Sequence, residues 1–547
     1  MLVFCKIILF NDYLTFFIDC TIVSRTLLVK IMMNQPKSTY KTTTEVQTNT
    51  HNAFLIKALF AGLLLPLGFA PFHLAGLSIL GLALFFALLK NSTLKQSLAI
   101  GFFFGVGYFG FGISWIYVSI HLYGHLIPPI AAIITGIFVF YLALFTASLA
   151  VLYSMLSRLL SPLLCCLLFG ALWTGIEYFR SHFLSGFPWL LIGFSQIDTP
   201  LKFLLPIIGV YGVGFFSCFA ATSLTYALFS TGRARLRWVI TFVSVLLAPS
   251  LLNNVQWTSV SRTPLSVGIV QADVSMRDKW DDDLFLDLVT RYREGIEALM
   301  KNDLIILPES AFPIPAHYIH DLLDRLDREA NHSKTAILIG IPQAADEEET
   351  TYYNSLISLG FGKGEYLKQH LVPFGEYTPH FFEKIFSWFN IPASNFKPGS
   401  SPQSLIEVHH HPIAALICYE LAYPHLLRQQ LPQAEWIVSV SDDGWFGHSL
   451  AMYQQQQMAQ VLSLQTGRFQ VVANNDGLSS IIDEKGNLTS SLPTFTSGLL
   501  EGLVYPATGF SPWVCYGDNP ILFLCFLIVF VTAIAAKYKR RYPKKLI

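Results

Sequence analysis

Three ionisable side chains follow short apolar runs in the second half of the chain, and together they could carry out covalent chemistry. Cys418 follows AALI, Glu309 follows LIILP, and Lys368 follows GEYL. Cysteine attacks as the thiolate, which is a minor species at neutral pH. A carboxylate beside it can take the proton, and a lysine can lower the thiol pKa and stabilise an oxyanion. The combination predicts nucleophilic catalysis by Cys418.

Each of these residues also has a purely structural explanation. Free cysteine is among the most buried residue types and usually serves only packing. Glu309 could cap the turn that follows it, and Lys368 could be a solvated charge at the end of a strand. Only the convergence of all three residues favours a catalytic site, and we expect it if their strands share one sheet.

The elements that would position these residues lie between residues 263 and 510. An apolar run of four to eight residues is typical of a buried strand. Strands are predicted at Leu265–Gln271, Leu304–Leu307, Ala336–Ile341, Tyr353–Leu359, Gly364–Lys368, Pro412–Ile417, Glu435–Ser439, Gln470–Ala473 and Ser479–Asp483. Helices are predicted at Asp282–Met300, His317–Ala330 and Met452–Thr466. Their alternation predicts an α/β domain with a largely buried sheet.

The rest of the chain has the composition of a membrane protein. Of the 547 residues of the whole chain, 53% are hydrophobic and 13% are charged, whereas soluble domains carry about 25% charged residues. A membrane helix needs about 20 apolar residues. Apolar spans are predicted at Phe54–Ala70, Leu74–Leu89, Leu98–Val118, Leu126–Leu152, Leu163–Phe179, Phe203–Phe229, Trp238–Leu252 and, after the α/β domain, Pro520–Ala536.

The basic residues indicate the orientation, because Lys and Arg accumulate on the cytoplasmic side. Every second loop is basic. The basic residues on that side are Lys57, Lys90, Lys95, Arg158, Arg233, Arg235, Arg237 and the cluster that begins at Lys537. This pattern places both termini in the cytoplasm and residues 253–518 on the opposite side of the membrane.

Two features of the predicted spans near their outer ends allow more than one interpretation. Glu177 lies within a predicted span, where a carboxylate is costly and is a functional hypothesis by default. The alternative is an ion pair with Arg180 at helical i,i+3 spacing. Trp115 and Tyr117 near the outer end of the third span are typical of interfacial anchors.

The first 50 residues do not resemble the rest of the membrane part. Asp12, Asp19, Arg25 and Lys30 interrupt the apolar segment Met1–Met33, so we expect a leader or an overextended start, with initiation at Met32 or Met33. The polar, Thr-rich stretch Asn34–Thr50 is predicted to be a disordered tail.

Two further groups could form sites of their own. A disulfide between Cys418 and Cys515, which share the outer compartment, would consume the nucleophile. His409, His410 and His411 could suggest a metal site. Because adjacent residues on a strand point to alternating faces, we interpret the three histidines as a solvated edge.

The motifs LPESAFP, LKQHLVPFGEYTP and LICYE resemble the signature segments of the nitrilase superfamily. Together with GFAPFHLAGL, SWIYVSIHLYG, RSHFLSGFPWLLIGFSQID, DGWFGHSLAMYQQQQMAQ and ANNDG, the eight spans look like those of the bacterial apolipoprotein N-acyltransferases. The resemblance covers about residues 54–536. It implies an αββα sandwich as the catalytic domain, attached to about eight membrane helices.

The resemblance also implies a two-step ping-pong reaction. Cys418 would take an acyl chain from a phospholipid, typically phosphatidylethanolamine, as a thioester. The chain would then pass to the α-amino group of a diacylglyceryl-cysteine at a lipoprotein N-terminus. Glu309 matches the general base and Lys368 the lysine that stabilises the oxyanion.

Four supporting residues are implied in the same way. Glu376 matches a second glutamate of the site, Tyr419 and Glu420 match residues that flank the nucleophile, and Trp280 matches a tryptophan on a mobile loop. Trp280 and the aromatic segment Phe381–Phe396 are candidates for a mobile lid. Asp442 departs from the family pattern, which has Asn there, and an added negative charge would raise the pKa of Cys418.

The expected organisation has four parts. Residues 1–52 form the doubtful leader and tail, 53–252 a seven-helix membrane domain, 253–518 an extracytoplasmic catalytic domain, and 519–547 a last helix with a basic tail. We expect a monomeric, multi-pass enzyme of the bacterial inner membrane without cofactor, metal or nucleic-acid partner. The competing hypotheses are a membrane-bound amidase that uses water as acceptor, a transporter and an inactive scaffold.

Overall fold

The computed structural model describes residues 44–124, 126–279, 281–378 and 395–541. Residues 54–547 form one compact unit, and the description below concerns that unit. The predicted leader, the proposed initiation sites and most of the polar tail lie outside the described residues.

Apolar helices occupy all the positions at which spans are predicted. They are α1 (Thr44–Leu63), α2 (Ala75–Leu89), α3 (Leu94–Gly112), α4 (Pro128–Ser157), α5 (Pro162–Arg180), α6 (Leu205–Phe229), α7 (Gly232–Leu247) and, after the α/β part, α12 (Asn519–Arg541). In the described part of the chain, five segments are long and apolar enough to cross a membrane unaided, namely those built on α4 to α7 and α12. The apolar stretch Ala53–Gly68, which includes the end of α1, and helix α2 are shorter.

The third predicted span is not one straight helix. Helix α3 ends at Gly112, and a second piece, Trp115–Tyr123, continues at an angle of 55°. The Gly112 carbonyl accepts a hydrogen bond of 3.1 Å from the Gln454 side-chain amide. A carbonyl at the end of a helix has no partner within the helix, so this contact satisfies Gly112 where the span bends.

The α/β part contains two large sheets. Its strands are β1 (Thr258–Val260), β2 (Leu265–Gln271), β3 (Leu304–Ile306), β4 (Ala336–Ala344), β5 (Tyr352–Gly360), β6 (Gly362–Lys363), β7 (Glu365–Leu367), β8 (Ile406–Val408), β9 (His411–Ile417), β10 (Trp436–Ser441), β11 (Gln470–Asn474), β12 (Ser480–Ile482), β13 (Leu488–Ser491), β14 (Gly498–Val504) and β15 (Ala507–Gly509). Its longer helices are α8 (Phe285–Leu299), α9 (His320–Ser333), α10 (Pro424–Gln430) and α11 (Ala451–Thr466).

The strand order gives each sheet a parallel centre. One sheet runs β14-β2-β3-β4-β5-β7 and the other β13-β12-β11-β10-β9-β8-β6. β2, β3 and β4 are parallel in the first sheet, and β9, β10 and β11 are parallel in the second. The ends of parallel strands meet at one edge, which is where ligands bind in such sheets.

The two sheets stack face to face with helices outside them. On β9, Ile413, Ala415 and Ile417 enter the core between the sheets, whereas Ala414 and Leu416 face the outer helices. This period of two is that of a strand buried on both faces. Helices α8 and α9 cover the other sheet. The predicted αββα sandwich is therefore confirmed.

The core beneath Ala414 and Leu416 continues into the membrane helices. One cluster of buried side chains includes Leu462 of α11, Trp189 and Leu191 of the loop after α5, and residues of α2 to α6. On α11, Gln454 accepts a hydrogen bond from Trp189 Nε1 at 2.5 Å. The two parts of the molecule therefore share one packed interior.

One local prediction was wrong. The three histidines do not lie on one strand, because His409 and His410 form the turn between β8 and β9 with φ of 49° and 68°. His411 bonds to Glu435, and His409 to the Asp303 carbonyl. In the described part of the chain, no group of three or more His, Cys, Asp or Glu side chains could hold a metal ion.

Candidate active site

Cys418 occupies the first position after β9, at the start of a short 3-10 helix, Cys418–Ala422. Its φ of 54° is in the left-handed region, which costs energy for any residue with a Cβ and clusters at functional sites. The side chain is partly exposed, while Ile417 before it is buried. The chain therefore turns sharply to present the thiol at the rim of the sandwich.

Glu309 follows β3, and Lys368 follows β7 in the same sheet, whereas Cys418 follows β9 in the opposite sheet. The three predicted site residues therefore converge from two sheets that face each other across the core, not from one shared sheet. Glu309 Oε1 accepts hydrogen bonds from Asn354 Nδ2 at 2.8 Å and from Lys368 Nζ at 3.1 Å. Oε2 accepts one from the Asp442 backbone amide at 3.0 Å. Three donors, one within β5 and two directly after β7 and β10, fix the orientation of this buried carboxylate.

Gly340 on β4 allows Glu309 to lie where it does. A Cβ at position 340 would stand 2.3 Å from the Pro308 carbonyl oxygen and 2.7 Å from Glu309 Cα. Real Cβ atoms essentially never approach other atoms that closely. The backbone of Glu309 passes so near β4 that only glycine fits behind it.

Lys368 lies between two carboxylates. Its side chain is 1% exposed, and Nζ is 3.1 Å from Glu309 Oε1 and 2.8 Å from Glu376 Oε1. Burial alone lowers the pKa of this amine, but the carboxylates of Glu309 and Glu376 outweigh it, so the pKa of Lys368 is well above its ordinary value. The ammonium is therefore a fixed positive charge at neutral pH.

The Cys418 thiol is held in its protonated form. Burial raises its pKa well above the ordinary value, and the negative charge of Glu309 acts in the same direction. Lys368 lowers the pKa of the thiol, as expected from its charge, but this effect is smaller than the opposing effects. The net result is a raised pKa. Attack by sulfur therefore requires removal of the proton as the reaction proceeds.

Asn354 is a site residue that motif inspection missed. Its Nδ2 donates to Glu309 Oε1 at 2.8 Å and to Glu376 Oε1 at 2.9 Å. Its backbone carbonyl accepts a hydrogen bond from the Lys368 backbone amide. It lies inside β5, away from any strand end, so only the pairing of β5 with β4 and β7 could have indicated it.

Glu376, which the resemblance implies to be a second glutamate of the site, lies against Lys368. Besides its bonds to Lys368 and Asn354, its Oε2 accepts a hydrogen bond of 2.8 Å from the Val372 backbone amide. The segment after β7 thus closes back onto Lys368, and the three polar side chains form one network.

Glu420 has its own set of hydrogen-bond partners, separate from those of Glu309 and Lys368. It is fully buried and accepts hydrogen bonds from the backbone amides of Ile417, Gln369 and His370 and from the Tyr366 hydroxyl. Burial raises its pKa to about 7. Glu420 therefore ties the turn that carries Cys418 to the segment that follows Lys368.

Tyr419 belongs to an aromatic wall beside the thiol. Its ring is stacked near Trp189, with centroids 6.4 Å apart, and packs at 5.2 Å against Tyr423. Tyr423 donates to the carbonyls of Ser185 and Gly186 in the loop after α5. The membrane part thus contributes one side of the site.

Asp442 is paired rather than free. Its carboxylate forms a buried ion pair with Lys279. The carboxylates that raise the pKa of Cys418 include those of Glu309, Asp443 and Glu376. Trp280, the residue after Lys279, lies outside the described residues, as does most of Phe381–Phe396.

Two alternatives that the sequence left open can now be decided: the Glu177–Arg180 ion pair and the Cys418–Cys515 disulfide. Glu177 accepts from the Ile192 backbone amide at 2.9 Å, and Arg180 donates to the carbonyls of Phe187 and Trp189 at 2.7 Å. The predicted Glu177–Arg180 pairing is thus replaced by separate bonds to the loop after α5. Cys418 and Cys515 are both free thiols, so the disulfide is not formed.

Comparisons with known proteins agree with this architecture. Residues 61–223 match the apolipoprotein N-acyltransferase N-terminal domain family, and residues 266–508 match the carbon-nitrogen hydrolase family. The fold and the site therefore define a membrane-embedded member of the carbon-nitrogen hydrolase class.

Full-length relatives narrow the assignment. Apolipoprotein N-acyltransferase of Pseudomonas syringae is 36% identical over 88% of this chain and 97% of the relative. That of Coxiella burnetii is 35% identical over 87% of this chain and 99% of the relative. This chain belongs to the apolipoprotein N-acyltransferase family.

Proposed function

We propose that this protein moves an acyl chain from a phospholipid to the α-amino group of diacylglyceryl-cysteine at the N-terminus of apolipoproteins. The observation that carries the proposal is the meeting of Glu309, Lys368 and Cys418 in a chain that aligns with nearly the full length of its relatives. The catalytic triad consists of these three residues, and the reaction follows a ping-pong course.

In the first step Glu309 removes the proton of the Cys418 thiol while the sulfur attacks the ester carbonyl of the phospholipid. The tetrahedral oxyanion forms beside the Lys368 ammonium, a charge already in place and in little water, where such stabilisation is largest. The carbon–oxygen bond breaks, Glu309 returns the proton to the leaving oxygen, and a lysophospholipid departs. The acyl chain remains on Cys418 as a thioester.

In the second step the lipoprotein amine, in its neutral form, attacks the thioester carbonyl. Glu309 takes a proton from the attacking nitrogen, the carbon–sulfur bond breaks, and the proton passes to the sulfur. The products are an N-acylated lipoprotein and the Cys418 thiol. One carboxylate serves both steps because each begins and ends with the same protonation states.

The supporting residues act through the central three. Glu376 and Asn354 fix the Lys368 ammonium and share its charge, and Glu420 holds the Cys418 turn against the Lys368 segment. Tyr419 forms part of the wall for the acyl chains. Trp280 is proposed, on the resemblance alone, to lie on a loop at the entrance.

The proposed setting is the bacterial inner membrane, with the catalytic domain on the periplasmic side and both termini in the cytoplasm. The proposed donor is phosphatidylethanolamine and the proposed enzyme is a monomer. Its parts are those predicted: 1–52, 53–252, 253–518 and 519–547. The alternating basic loops and the apolar helices support this arrangement.

The test is incubation of the purified enzyme with phosphatidylethanolamine carrying a labelled acyl chain. We expect a hydroxylamine-labile label on the peptide that contains Cys418, lost on addition of a diacylglyceryl lipopeptide, with the label recovered on its amine. The variant Cys418→Ala should carry no label, and Cys515→Ala serves as the matched control that keeps it. Release of free fatty acid without N-acylation would contradict the proposal and favour hydrolysis.

A further inference from the structure

We infer that Lys279 and Asp442 form a positioning pair that holds Glu309 in place for proton transfer. This inference rests on the proposed function, in which Glu309 is the general base. In the proposed mechanism neither residue acts on the Cys418 sulfur or on the acyl carbonyl, so both would act through Glu309.

Lys279 holds the main chain of Glu309. Its Nζ donates a hydrogen bond of 3.0 Å to the Glu309 carbonyl oxygen and forms an ion pair with the Asp442 carboxylate. The Lys279 side chain is 0% exposed and that of Asp442 4%. A buried charge is tolerated only when it is paired and hydrogen-bonded, so each of these two charges requires the other.

Asp442 holds the side chain of the same glutamate. Its backbone amide donates 3.0 Å to Glu309 Oε2. Its Oδ1 accepts from Asn475 Nδ2 at 3.3 Å, and Asn475 in turn donates to the Val274 carbonyl at 2.7 Å. Glu309 is therefore fixed at both ends by one ion pair, which also links the segment around Lys279 to the ends of β10 and β11.

The pair explains how an aspartate is accommodated beside the catalytic groups. An unpaired carboxylate at position 442 would add negative charge next to Glu309. Lys279 supplies the matching positive charge at the position that also binds the Glu309 main chain. The local charge around the general base therefore stays balanced.

Removing either partner should disturb Glu309 in opposite directions. Lys279→Met leaves a carboxylate alone, which favours the protonated form of Glu309, whereas Asp442→Asn leaves an ammonium alone, which favours the ionised form. The other charged or titratable groups that face this region remain in all variants. They are Asp273, Tyr292, Lys368, Glu376, Cys418, Asp443 and Asp476.

The experiment measures the rate of thioester formation on Cys418 against pH, with labelled phosphatidylethanolamine as donor. The acid limb of this profile reports ionisation of the general base. We expect the limb to move to higher pH in Lys279→Met and to lower pH in Asp442→Asn, each by about one pH unit. The double variant should return to the wild-type midpoint at a rate about tenfold lower, since the bond to the Glu309 carbonyl is lost.

Lys301→Met is the matched control, because Lys301 forms an exposed ion pair with Glu501. It should keep both the rate and the midpoint. A shift of either single variant in its stated direction, reversed in the double variant, supports the inference. Wild-type midpoints in both single variants, shifts in the same direction, or a double variant at the wild-type rate would each overturn it.

The double variant decides the question where a single variant fails to accumulate in the membrane, because it contains no uncompensated charge. Failure of the proposed function is separately visible. A wild-type enzyme without a thioester on Cys418 refutes the function, whereas a labelled wild type with indifferent variants refutes only the role of the pair.

Discussion

Gly340 lies directly behind the backbone of Glu309, and the substitution Gly340→Ala tests how finely the general base must be placed. The added methyl group would stand 2.3 Å from the Pro308 carbonyl oxygen, 2.7 Å from Glu309 Cα and 2.9 Å from the Ser310 nitrogen. All three are backbone atoms. No side chain can rotate away, so the main chain of β4 or of the Glu309 segment has to move.

The required movement can be read from these contacts. Opening the 2.3 Å approach to 3.0 Å, below which Cβ contacts essentially do not occur, takes about 0.7 Å. Glu309 holds Lys368 and Asn354 through bonds of 3.1 and 2.8 Å, and such a displacement is enough to break one of them. A misplacement of about 1 Å can cost about 10²-fold in rate. We therefore expect thioester formation to fall between about tenfold and about 10²-fold, with a stability loss of about 1–3 kcal/mol from overpacking.

The assay is the single-turnover rate of Cys418 acylation, with thermal unfolding measured on the same preparation. Gly136→Ala is the matched control, because a Cβ there meets no atom within 4 Å, and it should leave the rate unchanged. A folded Gly340→Ala enzyme with the wild-type acylation rate would show that the position of Glu309 is not critical and would refute the reasoning.

Three further predictions concern the charge, the thiol and the interface. Lys368→Met should reduce thioester formation by about 10²–10³-fold, because the oxyanion loses its donor and the carboxylates of Glu309 and Glu376 are left facing each other. Single-turnover acylation measures this rate, and a fall of less than tenfold would exclude the proposed role of Lys368. At pH 7, maleimide should modify exposed Cys515 before Cys418, because burial and Glu309 raise the pKa of Cys418 and the thiolate is the reactive form; peptide mass spectrometry follows both sites, and faster labelling of Cys418 would contradict the protonated resting state. Gln454→Ala should lower the free energy of unfolding by about 1–3 kcal/mol, because Trp189 Nε1 and the Gly112 carbonyl are left buried without their partner; thermal unfolding measures the loss, exposed Gln429→Ala is the control, and equal stability of the two variants would contradict the prediction.

The sequence predicted the elements of the site well because the signals were local. Apolar runs marked β3 and β9, and an ionisable residue soon after each run marked the strand end. The predicted strand Leu265–Gln271 coincides with β2, and the predicted helix Met452–Thr466 differs from α11 by one residue at its start. Motif resemblance implied Glu376 as a second glutamate of the site, and its Oε1 lies 2.8 Å from Lys368 Nζ.

The features that the sequence did not predict depend on pairing between distant segments. Asn354 joins Glu309 to Glu376 only because β5 lies between β4 and β7. Lys279 meets Asp442 across 163 positions of the chain. The bend after α3 also coincides with a contact to Gln454, 342 positions away. Neither composition nor periodicity contains such information.

The net shift of the Cys418 pKa was equally out of reach. The sequence placed a cation near the thiol, which favours the thiolate, but the outcome depends on burial and on the carboxylates around the thiol. In the folded protein burial and these carboxylates outweigh Lys368, and the resting thiol stays neutral.

The buried cluster that runs from α11 through Trp189 into the membrane helices has a practical consequence. If residues 253–518 were expressed without the preceding spans, the outer layer of the sandwich would present to water a face that now contacts hydrocarbon side chains, and exposed apolar surface of that kind promotes aggregation. Attempts to obtain a free-standing catalytic fragment should therefore fail in aqueous buffer. Detergent or nanodiscs that retain the whole transmembrane assembly are the appropriate material for enzymology.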